Sequence, residues 1–399
     1  MVPLPADVEF LAALVHRGQL AREEAERCLA LLRSGNSPLD EILVEEGWFA
    51  PEEVARLRRT RGGALPEIPG YLLEERIGVG GTSEVFRAKE KSGGRAVALK
   101  ILHPHLVPDV VAKDRFVREA RLLETLEHEN IVKAFRVARA RTATPRVAAL
   151  AGAPPIQDLF FISLELVPGP TALELLESRG PLPEEDALYI VLQVARALEY
   201  LRSKGVVHRD VKPGNVLVAP GNRIKLIDLG FASRPGAPSG LDRRTSTSGT
   251  ASYLSPEQAR GEDSLDVRSD IYSLGVTLYH LVVGSLPFTG ADDEEVVRKQ
   301  VQESLRSSAL KGRRISPHVH YFIEKMMAKE KEIRYQSPSA LLADIEAQIA
   351  GRKSLDFETS KGDGGVRPSG DLLGPGPGPA HPPSSGGSRS REPDAGGKR

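Results

Sequence analysis

The 399-residue sequence contains a single cysteine, Cys28, and so cannot form an intramolecular disulfide. It also lacks a net charge, because 54 lysine and arginine residues balance 54 aspartate and glutamate residues. A chain without a global field has no electrostatic drive toward nucleic acid or an anionic membrane. The nine histidines are scattered and form no ligand cluster along the sequence. These absences exclude a disulfide-rich secreted scaffold and predict that nucleic acid is not a partner.

Long hydrophobic runs are absent as well. Residues 271–288 are uncharged, but they contain glycines, serines and His280, and we interpret them as a buried helix and loop rather than a membrane span. Residues 1–5 lack the basic and apolar regions of a signal peptide. The sequence therefore predicts a cytoplasmic protein without a membrane span.

Residues 208–215 read His-Arg-Asp-Val-Lys-Pro-Gly-Asn and lie between two short apolar runs. In this arrangement Asp210 could accept a hydroxyl proton, Lys212 could neutralise charge on a transferring phosphoryl group, and Asn215 could hold Mg²⁺. Such chemistry depends on positioning and electrostatics, which a rigid loop between two strands provides. For these eight residues alone, a charged surface turn is the alternative interpretation.

A glycine-rich segment, a strand-end lysine and a helical glutamate precede this loop. Residues 77–86 contain three glycines, whose missing Cβ atoms let backbone N–H groups approach phosphates closely. Lys100 ends an apolar strand-like run, and Glu119 lies in a segment whose apolar residues have near-helical spacing. Glu119 could pair with Lys100 and fix its ammonium group. Taken singly, the three features also fit a hairpin turn, a surface lysine and a solvated helix face.

Further motifs follow the loop in a fixed order. Asp228 comes after an apolar strand and offers the hard carboxylate that Mg²⁺ prefers. Residues 249–257 resemble the end of an activation segment, and residues 266–275 the central helix of a large lobe. Over residues 71–348 the sequence resembles the bacterial eukaryotic-like (Hanks-type) serine/threonine protein kinases. Arg334 stands where that family has a buried arginine that pairs with a glutamate, here Glu257.

This resemblance implies an α+β, two-lobed protein kinase fold, with a small β-rich N-lobe and a large helical C-lobe, preceded by a small all-α module. ATP and Mg²⁺ are the implied cofactors, and protein Ser/Thr hydroxyls the implied acceptors. The implied catalytic residues are Lys100, Glu119, Asp210 and Lys212, with Asn215 and Asp228 as metal ligands. The residues expected to contact ATP are Ile77, Gly78, Val79, Gly80, Gly81, Thr82, Ser83, Val85, Ala98, Lys100, Glu165, Val167 and Leu217.

Three positions depart from the family pattern: Ser83 replaces the third loop glycine, Leu229 the usual phenylalanine and Ser255 the usual alanine. None of these changes removes a charge or a metal ligand. Ser83 costs backbone freedom rather than chemistry, and Leu229 keeps an apolar side chain behind the helix that carries Glu119. We therefore favour an active enzyme over a pseudokinase scaffold.

Acceptor class and regulation also have candidate residues. By resemblance, Lys212 together with Thr250 indicates serine or threonine acceptors. A phosphate on the segment before Thr250 would bring about two negative charges near Arg209 and could order that segment. The alternative is a flexible polar loop without a regulatory role. The predicted autophosphorylation sites are Thr245, Ser246, Thr247 and Ser248.

The sequence divides into four parts. Residues 1–62 have amphipathic periodicity with helix start signals, and we expect a helical module that binds a protein partner. Its layout weakly resembles the N-terminal module of type II secretion ATPases. Residues 63–70 form a linker, residues 71–348 the kinase domain, and residues 349–399 a disordered tail rich in Gly, Pro and Ser. Within the kinase domain, residues 140–155 are predicted to be a loop.

Overall fold

The structure is a computed structural model. It describes residues 7, 10–11, 14–15, 19–34, 38–51, 53–54, 57, 68–143, 156–233, 251–305, 315–355, 368 and 370–373. These residues comprise a helical N-terminal unit, a five-stranded sheet with one long helix, and a helical region with a two-stranded hairpin. They confirm the predicted α+β, two-lobed architecture with helices ahead of it.

The N-terminal unit contains helix α1 (Arg22–Ser34) and helix α2 (Leu39–Glu45), and its buried side chains form a cluster of their own. Cys28 lies fully buried in that cluster, where burial raises the pKa of its thiol to about 11 and keeps it protonated. Trp48 and Phe49 are partly buried and pack against the same cluster. The apolar periodicity of the sequence thus corresponds to a small separate core.

The small lobe is built on one antiparallel sheet of five strands in the order β1-β2-β3-β5-β4. Its central strand is buried on both faces apart from its first residue, so it reads as an apolar run interrupted only by Lys100. A strand that is covered on both faces is expected to be apolar, and Lys100 is the exception to that expectation in this strand. The strands are β1 (Tyr71–Val79), β2 (Ser83–Glu90), β3 (Ala96–Leu102), β4 (Ala134–Ala143) and β5 (Ile156–Glu165).

Helix α3 (Val110–Glu124) carries Glu119 toward the sheet. It begins at Asp109, whose side chain accepts hydrogen bonds from two backbone N–H groups of the first turn. Phe116, Ala120 and Leu123 recur at helical spacing and are buried in the core shared with the large lobe. Glu119 lies on this same buried face, which is why a charged side chain there requires a partner.

The loop predicted for residues 140–155 is shorter than expected, because β4 continues to Ala143 and β5 begins at Ile156. Two ion pairs from Arg139 and Arg141 to Asp158 join the extended strands. Cross-strand pairing therefore outweighs the weak strand propensity of this alanine- and arginine-rich sequence. Residues 144–155 lie outside the described ranges.

The large lobe is mainly helical, and the long helices α5 (Glu184–Ser203) and α7 (Val267–Val283) contribute many of its buried core residues. The uncharged run of residues 271–288, which the sequence predicted to be a buried helix and loop, forms most of helix α7 as far as Val283, and Gly284, whose φ of 78° lies in the left-handed region, caps the end of the helix. The helices are α4 (Ala172–Arg179), α5 (Glu184–Ser203), α6 (Pro256–Arg260), α7 (Val267–Val283), α8 (Asp293–Gln302), α9 (Pro317–Met326) and α10 (Pro338–Leu355).

A short hairpin, β6 (Val216–Ala219) paired with β7 (Arg223–Leu226), lies in the large lobe directly after the 208–215 loop. Its turn contains Asn222 with a φ of 57°. Within the residues that the structure covers, no helix combines the length and apolar character needed to cross a membrane.

The C-terminal expectations need a correction. Helix α10 continues past the predicted boundary at residue 348 to Leu355. Residues 370–373, which we expected to be disordered, contact the large lobe, where Leu372 is buried. Composition did not indicate this contact because one buried leucine and four hydrogen bonds are too small a signal in a Gly/Pro-rich stretch.

Candidate active site

Three side chains from three elements meet in the cleft between the lobes. Lys100 of β3 places its Nζ 2.6 Å from Oε1 of Glu119 on α3 and 3.1 Å from Oδ1 of Asp228. Burial opposes the charge on each group. The two carboxylates nevertheless raise the pKa of Lys100, and the ammonium lowers the pKa of Asp228 to about 2. The predicted pairing of Lys100 with Glu119 is therefore present, and it includes a second acid.

The backbone around Asp228 is tightly constrained. Asp228 has a φ of 63°, an unfavourable value for a residue with a side chain. The N–H of Gly230 donates to Oδ1 of Asp228 at 3.1 Å. A Cβ on Gly230 would lie 3.1 Å from that same oxygen and 3.4 Å from Oε2 of Glu119. Glycine at this position lets the backbone approach and hold the carboxylate.

A second cluster lies on the 208–215 loop. Oδ2 of Asp210 is 2.9 Å from Nζ of Lys212 and accepts a hydrogen bond from Nδ2 of Asn215, also at 2.9 Å. Burial raises the pKa of Asp210, Lys212 opposes this effect, and the negative charge of Asp228 adds to it. The two clusters are thus close enough to influence each other's ionisation.

The backbone of the 208–215 loop is held by side chains from other parts of the large lobe, which the sequence interpretation did not single out. Asp270 of α7 accepts hydrogen bonds from the backbone N–H of His208 at 2.9 Å and of Arg209 at 2.7 Å. Nε2 of Gln258 donates to the carbonyl of Arg209 at 2.9 Å. Burial raises the pKa of Asp270 to about 7. Only the position of Asp270 inside the matched helix motif could have indicated its role.

His208 supports the same loop from inside. It is fully buried, and its Nδ1 accepts a hydrogen bond from the backbone N–H of Asp210 at 3.2 Å. Burial lowers the pKa of His208 to about 4, so the ring is neutral at neutral pH and Nδ1 remains an acceptor. A protonated ring could not accept this bond. His208 is therefore a positioning residue for Asp210.

The predicted glycine-rich loop is the turn between β1 and β2. The N–H of Gly80 donates to the carbonyl of Ser83 at 2.8 Å, which closes the turn. A further residue, His103, which directly follows β3, holds this turn: its Nε2 is 2.9 Å from the carbonyl oxygen of Gly80, and its N–H donates to the carbonyl of Thr82 at 2.9 Å. Ile77 and Val79 on β1 are 45% and 57% exposed.

The other predicted ATP-contacting residues come from both lobes. Ala98 on β3 and Val85 on β2 belong to the core that continues into the large lobe, and Leu217 lies on β6. Glu165 ends β5, and Val167 follows it on the segment that joins the lobes. The Glu165 side chain is bound to Lys225 at 2.8 Å. The residues predicted to contact ATP thus lie on strands and connecting segments of both lobes, and their contact with ATP stays a prediction.

The predicted regulatory residues are only partly described. Arg209 is 4% exposed and has a φ of 68°, and its guanidinium interacts electrostatically with Asp270. The four predicted autophosphorylation sites and Thr250 lie outside the described residues.

The residues of the cleft fit Mg²⁺-ATP by the chemistry of their donors. Mg²⁺ takes oxygen ligands from one or two carboxylates together with substrate phosphates. The carboxylate of Asp228 is 39% exposed to the cleft. Nδ2 of Asn215 is bound to Asp210, so the oxygen of the same amide is on the opposite side of the group. Lys100 is the cation placed to meet phosphate charge.

A third ionic cluster lies inside the large lobe. Arg334 donates from Nη1 and Nη2 to the two oxygens of Glu257 at 2.7 and 2.9 Å, as the sequence predicted. Ser255, the residue that departs from the family's usual alanine, accepts from the N–H of Gln258 and caps helix α6. Leu229, a second departure, is 2% exposed within the main core. These departures thus stabilise local structure.

Comparison with known proteins agrees with this geometry. The family model described as "Protein kinase domain" matches residues 71–344. Serine/threonine-protein kinase PknB of Mycobacterium leprae is 36% identical over 275 residues, which cover 69% of this chain and 42% of that protein. Probable serine/threonine-protein kinase SCO3848 of Streptomyces coelicolor is 34% identical over 284 residues, which cover 71% of this chain and 40% of that protein.

The matched region thus corresponds to about two fifths of the length of these curated relatives. It includes every element that contributes to the cleft, from β1 to the helices of the large lobe. The chain belongs to the protein kinase family, among the bacterial Hanks-type serine/threonine kinases.

Proposed function

We propose that this chain is a serine/threonine protein kinase that transfers the γ-phosphate of ATP to hydroxyl groups of protein substrates. One observation supports this proposal above the others. The cluster of Lys100, Glu119 and Asp228 faces the same cleft as Asp210, whose pKa is raised by burial and further by the charge of Asp228. One cleft thereby offers a cation for the phosphates of ATP, an acid for the metal and a base for the acceptor hydroxyl.

Mg²⁺-ATP, when bound, supplies the phosphoryl group and a metal charge that offsets the negative charge of the phosphates. Lys100, held by Glu119, would bind phosphate oxygens, while Asp228 and the amide oxygen of Asn215 would hold the metal. Asp210 orients the acceptor hydroxyl and takes its proton, a task for which a raised pKa is favourable. Lys212 balances charge beside Asp210.

Protein serine and threonine residues are the proposed acceptors. The kinases to which this chain is similar carry that activity in their names. Lys212 lies beside the proposed base, where its ammonium group can contact an incoming serine or threonine side chain. Thr250 is proposed to complete this selectivity. We place this kinase and its protein substrates in the cytoplasm, where ATP is available.

The decisive test compares Asp210→Ala with Asp228→Ala in the full chain. Each variant should reduce transfer of radiolabelled γ-phosphate to a generic protein substrate by a factor of about 10³ or more, since each removes a group needed for positioning or charge compensation. Asp293→Asn, on the exposed first turn of α8, is the matched control. Circular dichroism verifies that all three variants are folded.

The outcomes separate this proposal from its rival, an ATP-binding interaction scaffold. Substantial transfer by the Asp210 variant would refute the role given to that residue. ATP binding by the unmodified chain without phosphate on any protein would favour the scaffold.

We also propose activation by autophosphorylation within residues 245–248. Arg209 supports this idea because it directly precedes Asp210, and a cation beside the base is suited to a phosphate. Mass spectrometry of active protein should find phosphate on one or more of the four residues, and alanine at all four should lower activity. An unmodified segment together with full activity of the alanine variant would remove the proposal.

The N-terminal helical unit is proposed to bind a protein partner. Its described helices have a core of their own, and it precedes the region matched by the kinase family. Deletion of residues 1–62 should leave phosphate transfer to a generic substrate unchanged while altering which cellular proteins are phosphorylated. A comparison of phosphoproteomes measures this difference.

A further inference from the structure

A short C-terminal segment lies on the large lobe, away from the catalytic residues. Residues 370–373, Gly-Asp-Leu-Leu, contact the end of helix α4 and the turn between β6 and β7. The function proposed above uses neither this segment nor the surface beneath it. The contacts are specific enough to define a binding site.

The side chain of Asn222 forms hydrogen bonds with the backbone of the segment. Its Oδ1 accepts from the N–H of Leu372 at 2.8 Å, and its Nδ2 donates to the carbonyl of Gly370 at 2.8 Å. One side-chain amide therefore pairs with a donor and an acceptor of the segment, as a neighbouring β-strand would. Asn222 has a φ of 57°, and its own carbonyl accepts from the hydroxyl of Tyr189 at 3.1 Å, so the amide is held in place.

Arg179 binds the other end of the segment. Its Nη1 donates to the carbonyl of Leu372 at 2.7 Å, and its Nη2 donates to the carbonyl of Leu373. Asp371 prepares this contact by accepting the N–H of Leu373 at 3.0 Å, which bends the segment. The guanidinium group of Arg179 thus donates to two consecutive carbonyl groups of the segment.

Leu372 supplies the apolar contact. It is 6% exposed and belongs to the main core of the kinase lobes, and Leu373 packs against that core. Burying one leucine and pairing its backbone on both sides is how a short linear peptide is commonly recognised. The acidic residue at the bend and the two leucines explain why this sequence suits the site.

We propose that the surface formed by Arg179, Tyr189 and Asn222 is a docking groove for a short Asp-Leu-Leu peptide, and that residues 370–373 of this same chain occupy it. Residues 356–369 join helix α10 to the segment, and a connection of this length can supply an effective concentration on the order of millimolar. Occupation by the chain itself needs only a weak intrinsic affinity. The groove is closed to other peptides while its own segment is bound.

The first test uses hydrogen–deuterium exchange of the full chain. Asn222→Gly removes the pairing amide but keeps a residue that tolerates a positive φ. Amide exchange in the peptide that covers residues 370–373 should become about tenfold faster or more, since two hydrogen bonds are lost. Arg223→Gln, the next residue along the hairpin, is the matched control and should leave this exchange unchanged.

The second test supplies the segment in trans. A fluorescent peptide of residues 366–375 should bind the full chain carrying Leu372→Ser and Leu373→Ser, and adding Arg179→Ala should weaken this binding about tenfold or more. The unmodified chain should bind the peptide at least tenfold more weakly than the double variant, because its groove is occupied. Unchanged exchange in Asn222→Gly, no peptide binding to the double variant, or equal binding by the unmodified chain would each overturn the proposal.

Discussion

The Lys100–Glu119 pair in the cleft and the Arg334–Glu257 pair in the large lobe are both buried ion pairs, but their polar atoms are used differently. Arg334 donates to both oxygens of Glu257 and to three backbone carbonyls, and Ser269 adds a third hydrogen bond to the carboxylate. Lys100 contacts two carboxylates, one of which is 39% exposed to the cleft.

This difference separates the roles of the two pairs. A buried ion pair is tolerated only where further hydrogen bonds satisfy the remaining lone pairs and protons, and the Arg334 cluster meets that condition within the protein. The Lys100 cluster meets it only in part, and phosphate and metal charges would complete it. We therefore expect the large-lobe pair to determine the free energy of unfolding and the cleft pair to determine turnover.

The largest expected effect comes from breaking the large-lobe pair. Arg334→Met should lower the free energy of unfolding by about 3–5 kcal/mol, because it leaves the buried carboxylate of Glu257 without its cation. Lys100→Met should lower it less, since cleft water reaches Asp228 and since burial already raises the pKa of Glu119 to about 7, so that this carboxyl can take up a proton. The same variant should abolish phosphate transfer. Urea unfolding and a phosphate-transfer assay measure the two quantities. Equal losses of stability in both variants would erase the distinction.

A smaller effect on the free energy of unfolding is expected from the ionisation of His208. Its backbone N–H donates to Asp270 of the large-lobe helix α7, and its ring accepts the backbone N–H of Asp210 in the cleft. Its pKa is lowered from 6.5 to about 4, so below pH 6.5 the unfolded chain takes up a proton that the folded chain does not. Stability from this group is therefore lost as the pH falls from 6.5 toward 4. The expected loss is about 3 kcal/mol.

His208→Asn isolates this contribution, because asparagine has an acceptor oxygen near the position of Nδ1 but does not titrate. Between pH 7 and pH 4 the unmodified chain should lose about 3 kcal/mol more unfolding free energy than the variant. The other titrating groups are shared by both proteins and cancel in the difference. Identical pH profiles would mean that His208 is not the titrating group.

Ser269→Ala tests whether the large-lobe cluster needs its full set of donors. The hydroxyl of Ser269 donates to Oε1 of Glu257 at 2.7 Å in a fully buried position. A hydrogen bond to a buried charge contributes about 2 kcal/mol, and we expect a loss of that size in urea unfolding. Ser273→Ala on the same helix is the control, because its hydroxyl bonds only a backbone carbonyl. An equal loss in both variants would argue against a special role for the carboxylate.

The charged residues of both clusters were predictable because each is a chemical type that its task requires. Lys100, Glu119, Asp210 and Asp228 were named from motif and spacing, and the structure brings them to one cleft. The Arg334–Glu257 pair was predicted from resemblance and is present. A side chain that must carry charge at a reacting centre leaves a strong sequence signal.

The supports of these residues left little signal. Asp270 holds the loop through two backbone N–H groups, and His103 holds the turn through a backbone carbonyl and its own N–H, so the residues at the other end of these hydrogen bonds could be of any type and give no sequence signal. The extension of β4 to Ala143 depends on pairing with a strand that begins thirteen positions later, at Ile156. Such contacts arise from tertiary structure, which local propensity does not encode.

Two glycines give the finest comparison between the regions. A Cβ on Gly275 of α7 would lie 2.7 Å from Cβ of Met326, whereas a Cβ on Gly230 would lie 3.1 Å from Oδ1 of Asp228. Gly275→Ala should lower the free energy of unfolding by about 1 kcal/mol, since overpacking outweighs the gain in helix propensity. Gly230→Ala should leave stability nearly unchanged but weaken ATP turnover, because it displaces the carboxylate of Asp228 that we propose to bind the metal. If thermal unfolding and turnover respond alike in both variants, the cleft is as rigidly packed as the large lobe and the contrast drawn between them fails.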